Sequence, residues 1–251
     1  MNTITKTETE AARLDEIVEQ FSGAVHDLKI YHYTLRQLVD AEEDRILLQK
    51  TAGRFFELIR DVLVNYLSLE FSKLLGPPKS CGVENFSVEN ILNDAGFGWS
   101  EQLKQSVNEE LSCIPLSFRD RKNGAIYTAR NKYFAHYDKA VFLAKEIIGE
   151  FPEGDDEKAL TALENISNLF YEARFGKIRG DMVLTGAGDV HDLKKYLCRG
   201  LAFYKLFHEP GADVQRLYKL LKEECPYLYE SRPAGREKTQ KTKKTEGTEN
   251  R

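Results

Sequence analysis

The feature that most constrains this chain is the spacing of apolar residues in its first third. Leu14, Ile17, Val18, Phe21, Val25, Leu28, Tyr31, Leu35, Leu38 and Val39 recur at steps of three and four. That period places them on one face of a helix and is incompatible with the two-residue alternation of a half-buried strand. A second run, Phe55, Phe56, Ile59, Val62, Leu63, Tyr66, Leu67 and Leu74, repeats the pattern. It stops at Gly76-Pro77-Pro78, because proline lacks the amide donor and disfavours helical geometry in the residue before it. Two long helices joined by a short polar turn predict an antiparallel hairpin.

Further helices follow from local signals. Ser87 is placed to cap a short helix, with Phe86 before the cap and Ile91 at the fourth helical position forming a hydrophobic staple. Asn93 to Gly98 breaks that helix, Ser100 caps the next through about Leu111, and Pro115 ends it. Leu160, Leu163, Ile166, Leu169, Phe170 and Ala173 mark a helix capped by Asp155 or Asp156. Gly176 to Gly188 reads as a loop, Asp189 to Phe207 as helix, and Val214 to Leu221 as a shorter one. No segment alternates over strand length, so the fold class is all-α, an up-and-down helical bundle with additional C-terminal helices. The domain expectation is a helical domain over residues 1–180, a C-terminal extension over 181–230 packed on it, and a disordered basic tail over 231–251.

Composition narrows the classes. Hydrophobic residues make up 41% of 251, enough for a core in one sizeable domain. No apolar run is long enough to span a bilayer, and the first ten residues are polar and acidic, so neither a membrane anchor nor a secretory leader is expected. Cys81, Cys113, Cys198 and Cys225 are scattered without metal-ligand spacing, which reads as reduced thiols in a cytoplasmic protein with no metal or other cofactor. The formal charge of −4 conceals two basic segments. Ser117 to Lys139 has six basic residues against two acidic ones, and Ser231 to Arg251 has seven against three. The first includes Arg121 and Lys122, placed to meet a nucleic-acid backbone.

That segment also holds the densest chemistry, Arg130-Asn131-Lys132-Tyr133-Phe134-Ala135-His136-Tyr137-Asp138. Arginine followed by a polar residue and then histidine after a short gap resembles the signature of the HEPN superfamily. The match is specifically with its AbiU-like abortive-infection branch. The resemblance is carried by Phe55-Phe56 through Leu74 and Leu75, Pro77-Pro78, Asn85-Phe86-Ser87 through Leu92, and Arg130 through Asp138. It spans roughly residues 10 to 180. It implies RNA cleavage without a metal, at a cleft between two protomers, within a defence or toxin–antitoxin system. Some superfamily toxins carry, two residues after the histidine, a tyrosine that an antitoxin modifies. Asp138 stands there, so an antitoxin partner is not expected to act on this chain by that modification.

The residue types suit the implied reaction on their own terms. Histidine titrates near neutrality and arginine presents a fixed fork of donors to phosphate. His136 is assigned as general acid or base, Arg130 as stabiliser of the phosphorane, and Asn131 as the group orienting a phosphate oxygen or the arginine. Lys132, one helical turn before His136, faces the RNA backbone. Tyr137 and Asp138 position the histidine or stack a base. On a regular helix Arg130 and His136 lie about 120° and about 9 Å apart, which favours a homodimer in which one chain's histidine meets the other's arginine. The alternative is a non-catalytic HEPN module that binds RNA, nucleotide or a partner protein. The remaining histidines, His26, His32, His191 and His208, are read as structural.

Overall fold

The computed structural model describes residues 6–80, 82–131, 152–177, 179 and 187–208, with 211, 213, 215, 216 and 219 beyond these. The chain is all-α. Helix α1 covers Lys6–Val39 and α2 Glu42–Leu74; they pack side by side, Tyr31 meeting Tyr66 edge-on at 4.6 Å between ring centroids. Helix α2 starts earlier than its aromatic run suggests and is kinked at Ala52. The hydroxyl of Thr51 donates to the carbonyls of Leu47 and Leu48 at 3.0 and 3.1 Å. Such back-bonding bends a helix, and Gly53 alongside adds backbone freedom.

The Gly-Pro-Pro stop acts where expected, with Leu74 the last residue of α2. Beyond it a two-residue antiparallel pair, β1 (Lys79–Ser80) with β2 (Val83–Glu84), turns at Gly82 with φ of 83°. A pair this short has no room for alternation, so it left no pattern to read. Helix α3 is Val88–Asn93, followed by a 3₁₀ turn at Ala95–Phe97 and by α4, Glu101–Cys113. Ser87 accepts from the amide of Asn90 and Ser100 from that of Leu103, so both serine caps form as their sequence context dictates. Helices α5 (Leu116–Arg119) and α6 (Ala125–Ala129) are short. The long helices α7 (Asp155–Phe175) and α8 (Ala187–His208) complete the described elements.

The core lies where α1, α2, α4 and α7 meet, around Phe21, Phe71, Phe118, Ile166 and Phe170. Phe170 packs against Phe21 and stacks on Trp99. Polar contacts align α7 on α1: the Ser167 and Ser22 hydroxyls are hydrogen-bonded at 2.9 Å inside the core, Tyr171 donates to Glu19, and Lys29 pairs with Glu164. Leu38, Leu48 and Val190 form a smaller second cluster.

One cap differs from expectation. Neither Asp155 nor Asp156 caps α7; the cap residue is Gly154 at φ 81°, a left-handed conformation that glycine adopts without steric cost. The two carboxylates hold other elements instead. Asp155 accepts from the Ser117 hydroxyl at 2.7 Å, and Asp156 is bonded to buried His32 at 2.8 Å with Arg36 behind it. That hydrogen bond to His32 is the main reason the Asp156 carboxyl is held below its ordinary range. His32 is thus structural, as read.

The chain divides into two compact units, Met1–Cys198 and Arg199–Arg251. Most of the expected Gly176 to Gly188 loop and of the helix near Val214 to Leu221, where Gln215, Arg216 and Lys219 are helical, and all of the basic tail lie outside the described residues, as do Cys81 and Cys225. Cys113 and Cys198 are exposed free thiols. No helix among the described residues is long and apolar enough to cross a membrane.

Candidate nucleic-acid cleft

Arg130 owes its position to two anchors on α6. At the start of that helix, a Cβ on Gly124 would come within 2.4 Å of the Asp120 carbonyl oxygen, so only glycine lets α6 turn this closely onto α5. In its middle, Tyr127 is buried and donates from its phenol to the Ser72 carbonyl at 3.2 Å, tying α6 to the end of α2. Burial pushes the Tyr127 phenol up, opposed by the nearby guanidinium groups of Arg121 and Arg130. It therefore stays protonated and donating at neutral pH. With Ile126 and Ala129 also buried, α6 is fixed against the core.

Immediately after it, Arg130 and Asn131 continue the chain as a wider π turn. Insertions of this kind re-aim side chains and recur at functional positions. Lys132, His136, Tyr137 and Asp138, the aromatics Tyr133 and Phe134, and the helix end near Asp138 lie outside the described residues.

Arg130 lines a cleft of about 310 Å³ with Glu70, Lys73, Ser80, Asn85 and Phe86. Its walls are held by backbone carbonyls that find local donors. Asn85 donates its side-chain amide to the Pro77 oxygen and its backbone amide to the Pro78 oxygen, both at 2.8 Å. Asn90 reaches the Pro78 oxygen as well. Gly76 permits the tight exit from α2, since a Cβ there would meet the Ser72 oxygen at 2.9 Å. Lys73 pairs with Glu70 at 2.6 Å. Arg130 makes no ion pair with the described residues, and Asn131 is exposed.

Arg121 and Lys122 do not share this cleft. They border a second one, about 450 Å³, with Arg119 and an apolar floor that includes Leu74, Leu75 and Val88. There Arg121 donates to the Leu75 carbonyl at 3.2 Å and pairs with Glu89 at 2.6 Å. It joins the end of α2 to the start of α3. Lys122 is exposed, its backbone amide bonded to the Asp120 carboxylate, whose pKa is lowered chiefly by that bond and the one from the Asn123 amide.

Sequence reasoning missed Lys73, Glu70 and Phe86 as cleft residues. Lys73 stands in the last turn before the Gly-Pro-Pro stop, where a cation also suits the helix dipole, and that bland explanation hid its place. Phe86 reads as the staple residue in sequence; its ring packs edge-on to buried Phe21 at 6.2 Å and is partly exposed. Among the described residues no group of histidine, cysteine, aspartate or glutamate converges as a metal site. Chemically, a guanidinium with no ion pair among the described residues, in a cleft of this size that the Lys73 ammonium also lines, suits a phosphate-bearing ligand.

The described residues form a helical bundle with a cationic cleft bordered by Arg130, the residue that opens the arginine–histidine motif. A family model for the AbiU2 branch of the HEPN proteins matches residues 11–192, and the chain belongs to that family, which is associated with abortive infection. The matched region extends twelve residues beyond the limit read from the motifs, into the first turns of α8. No curated protein and no solved structure matches the chain.

Proposed function

We propose that this protein is a metal-independent endoribonuclease of the abortive-infection type, active as a homodimer with a composite Arg130 and His136 site. The observation that carries the reading is Arg130 itself. It opens the family motif, lies on a π turn fixed to the core by α6, and borders a cleft while making no ion pair among the described residues. A structural arginine in a bundle ordinarily has a carboxylate, as Arg121 has Glu89.

In the proposed reaction the 2′-oxygen of a ribose attacks the adjacent phosphorus and the bond from phosphorus to the 5′-oxygen breaks. Histidine takes the 2′-hydroxyl proton or delivers one to the departing 5′-oxygen. Arg130 stabilises the charge that builds on the phosphoryl oxygens, with Asn131 orienting it or a phosphate oxygen. The products are a 2′,3′-cyclic phosphate and a 5′-hydroxyl. A twofold pairing supplies one chain's histidine to the other's arginine, and Lys132, Tyr137 and Asp138 complete the site around them.

Induced expression of the wild type, Arg130→Ala and His136→Ala, followed by mapping of RNA ends, tests this directly. New cyclic phosphate ends are expected only with the wild type. Ends produced equally by both variants, or full activity from an obligate monomer, overturn it. RNA binding with no new ends from any form would favour the non-catalytic module.

A further inference from the structure

Two residues of the cleft have no part in the proposed chemistry yet have the properties of a nucleotide subsite. Phe86 stands between the β1–β2 hairpin and the cap of α3. One contact of its ring is with Phe21, while 38% of the residue is exposed and it lines the cleft. Lys73 is half exposed, its ammonium held by Glu70, a carboxylate only 17% exposed. Both sit on backbone that is fixed: Lys73 in the last turn of α2, secured by the Tyr127 to Ser72 bond, and Phe86 next to Asn85, which fastens the Pro77 and Pro78 carbonyls. The cleft therefore offers an aromatic surface and two cations, Lys73 and Arg130, at pre-formed positions, with a volume of about 310 Å³. That is at the small end of ligand sites, enough for one nucleotide and too small for a base pair.

We infer that this cleft is a subsite for one unpaired nucleotide of an RNA strand, with Phe86 stacking on the base and Lys73 contacting a phosphate neighbouring the one at Arg130. The identity of the ligand as RNA rests on the proposed function. Stacking tolerates any base because every base has an aromatic face, so the subsite selects single strands over duplexes rather than one sequence over another. Glu70 limits the cation field. It neutralises part of the Lys73 charge and repels phosphate, which keeps binding weak enough for release.

Fluorescence anisotropy with a short 2′-O-methyl oligoribonucleotide, which binds but has no 2′-hydroxyl to react, reads the subsite apart from cleavage. Phe86→Leu keeps bulk against Phe21 and removes the aromatic face; it should weaken binding about tenfold, and Phe86→Tyr should restore it. Lys73→Gln should weaken binding and flatten the dependence of log affinity on log salt by about 0.7. Glu70→Gln should tighten binding a few-fold. The same sequence as a duplex should bind more weakly than the single strand. Thermal melting of each variant confirms that it is folded. Unchanged affinity and salt slope in both Phe86→Leu and Lys73→Gln, or equal binding of duplex and single strand, overturns the subsite. If the wild type cleaves RNA in that case, the endoribonuclease reading still stands. Conversely, variant-dependent binding without any cleavage by the wild type keeps the subsite and removes the endoribonuclease.

Discussion

Arg121 and Arg130 lie nine residues apart in one basic stretch, and nothing in their side chains distinguishes them. Their surroundings do. Arg121 follows the short helix α5 and finds two acceptors at once, the Leu75 carbonyl that α2 leaves unpaired and the Glu89 carboxylate in the first turn of α3. Its Nη2 donates to both and so joins the two elements. Arg130 follows the buried face of α6, enters a π turn and borders a cleft whose only carboxylate among the described residues, Glu70, is paired with Lys73. The lesson is that a local surplus of positive charge does not by itself identify a nucleic-acid surface. What matters is which cations remain after the fold has satisfied its own acceptors.

The sharpest way to break this contrast is to remove each guanidinium in turn. Arg130→Ala should lower RNA cleavage by about 10²- to 10³-fold, the cost of one transition-state donor, with the melting midpoint unchanged. A variant that melts early yet cleaves normally would reverse the assignment. Next in size is Gly124→Ala. Its methyl group would meet the Asp120 carbonyl at 2.4 Å, forcing α6 outward; urea unfolding should show a loss of about 2 kcal/mol, and cleavage should fall with it because Arg130 is displaced.

Arg121→Ala should have the opposite signature to Arg130→Ala. Its ion pair with Glu89 is more than a third exposed on both sides, so screening reduces that part, and the hydrogen bond to Leu75 contributes the larger share. A loss of about 1 kcal/mol in urea unfolding is expected, with cleavage within about twofold of wild type. Cleavage lost without destabilisation would place Arg121 at the RNA surface.

The smallest effect is one of pH. The Asp156 carboxyl is held below its unfolded value, first by His32, so its contribution to stability is present above about pH 4. It is lost as the pH falls through the folded value. The melting midpoints of wild type and Asp156→Asn should differ at neutral pH and converge in strong acid; a constant gap at all pH values would remove the carboxylate from the account.

Much of the bundle could be read from residues alone, because its signals operate within one helical turn. The three-and-four spacing in α1 and α2, the proline stop after Leu74, and the serine caps at Ser87 and Ser100 each need only their immediate neighbours. The cap of α7 failed for the complementary reason. Asp155 and Asp156 had suitable local context, but their partners were Ser117 and His32, which are brought to them from other helices. Where a long-range partner exists, it competes with the local cap and Gly154 takes over the turn. The candidate site divides in the same way. Arg130 was singled out by its motif, whereas Lys73, Glu70 and Phe86, which line the same cleft, carry no signal of belonging with it, and Asn131 is not among the described lining.

Taken by itself, then, the sequence determined the helical class, the main breaks between helices and the residues that begin the motif, since periodicity, capping and proline geometry are short-range. Only the tertiary structure decided which arginine is consumed in joining α2 to α3 and which borders the cleft. It also decided that the end of α2 and the residues before the cap of α3, Asn85 and Phe86, form the cleft's other walls. Those outcomes depend on acceptors supplied from dozens of residues away, and pairing over that distance is set by packing rather than by any local pattern.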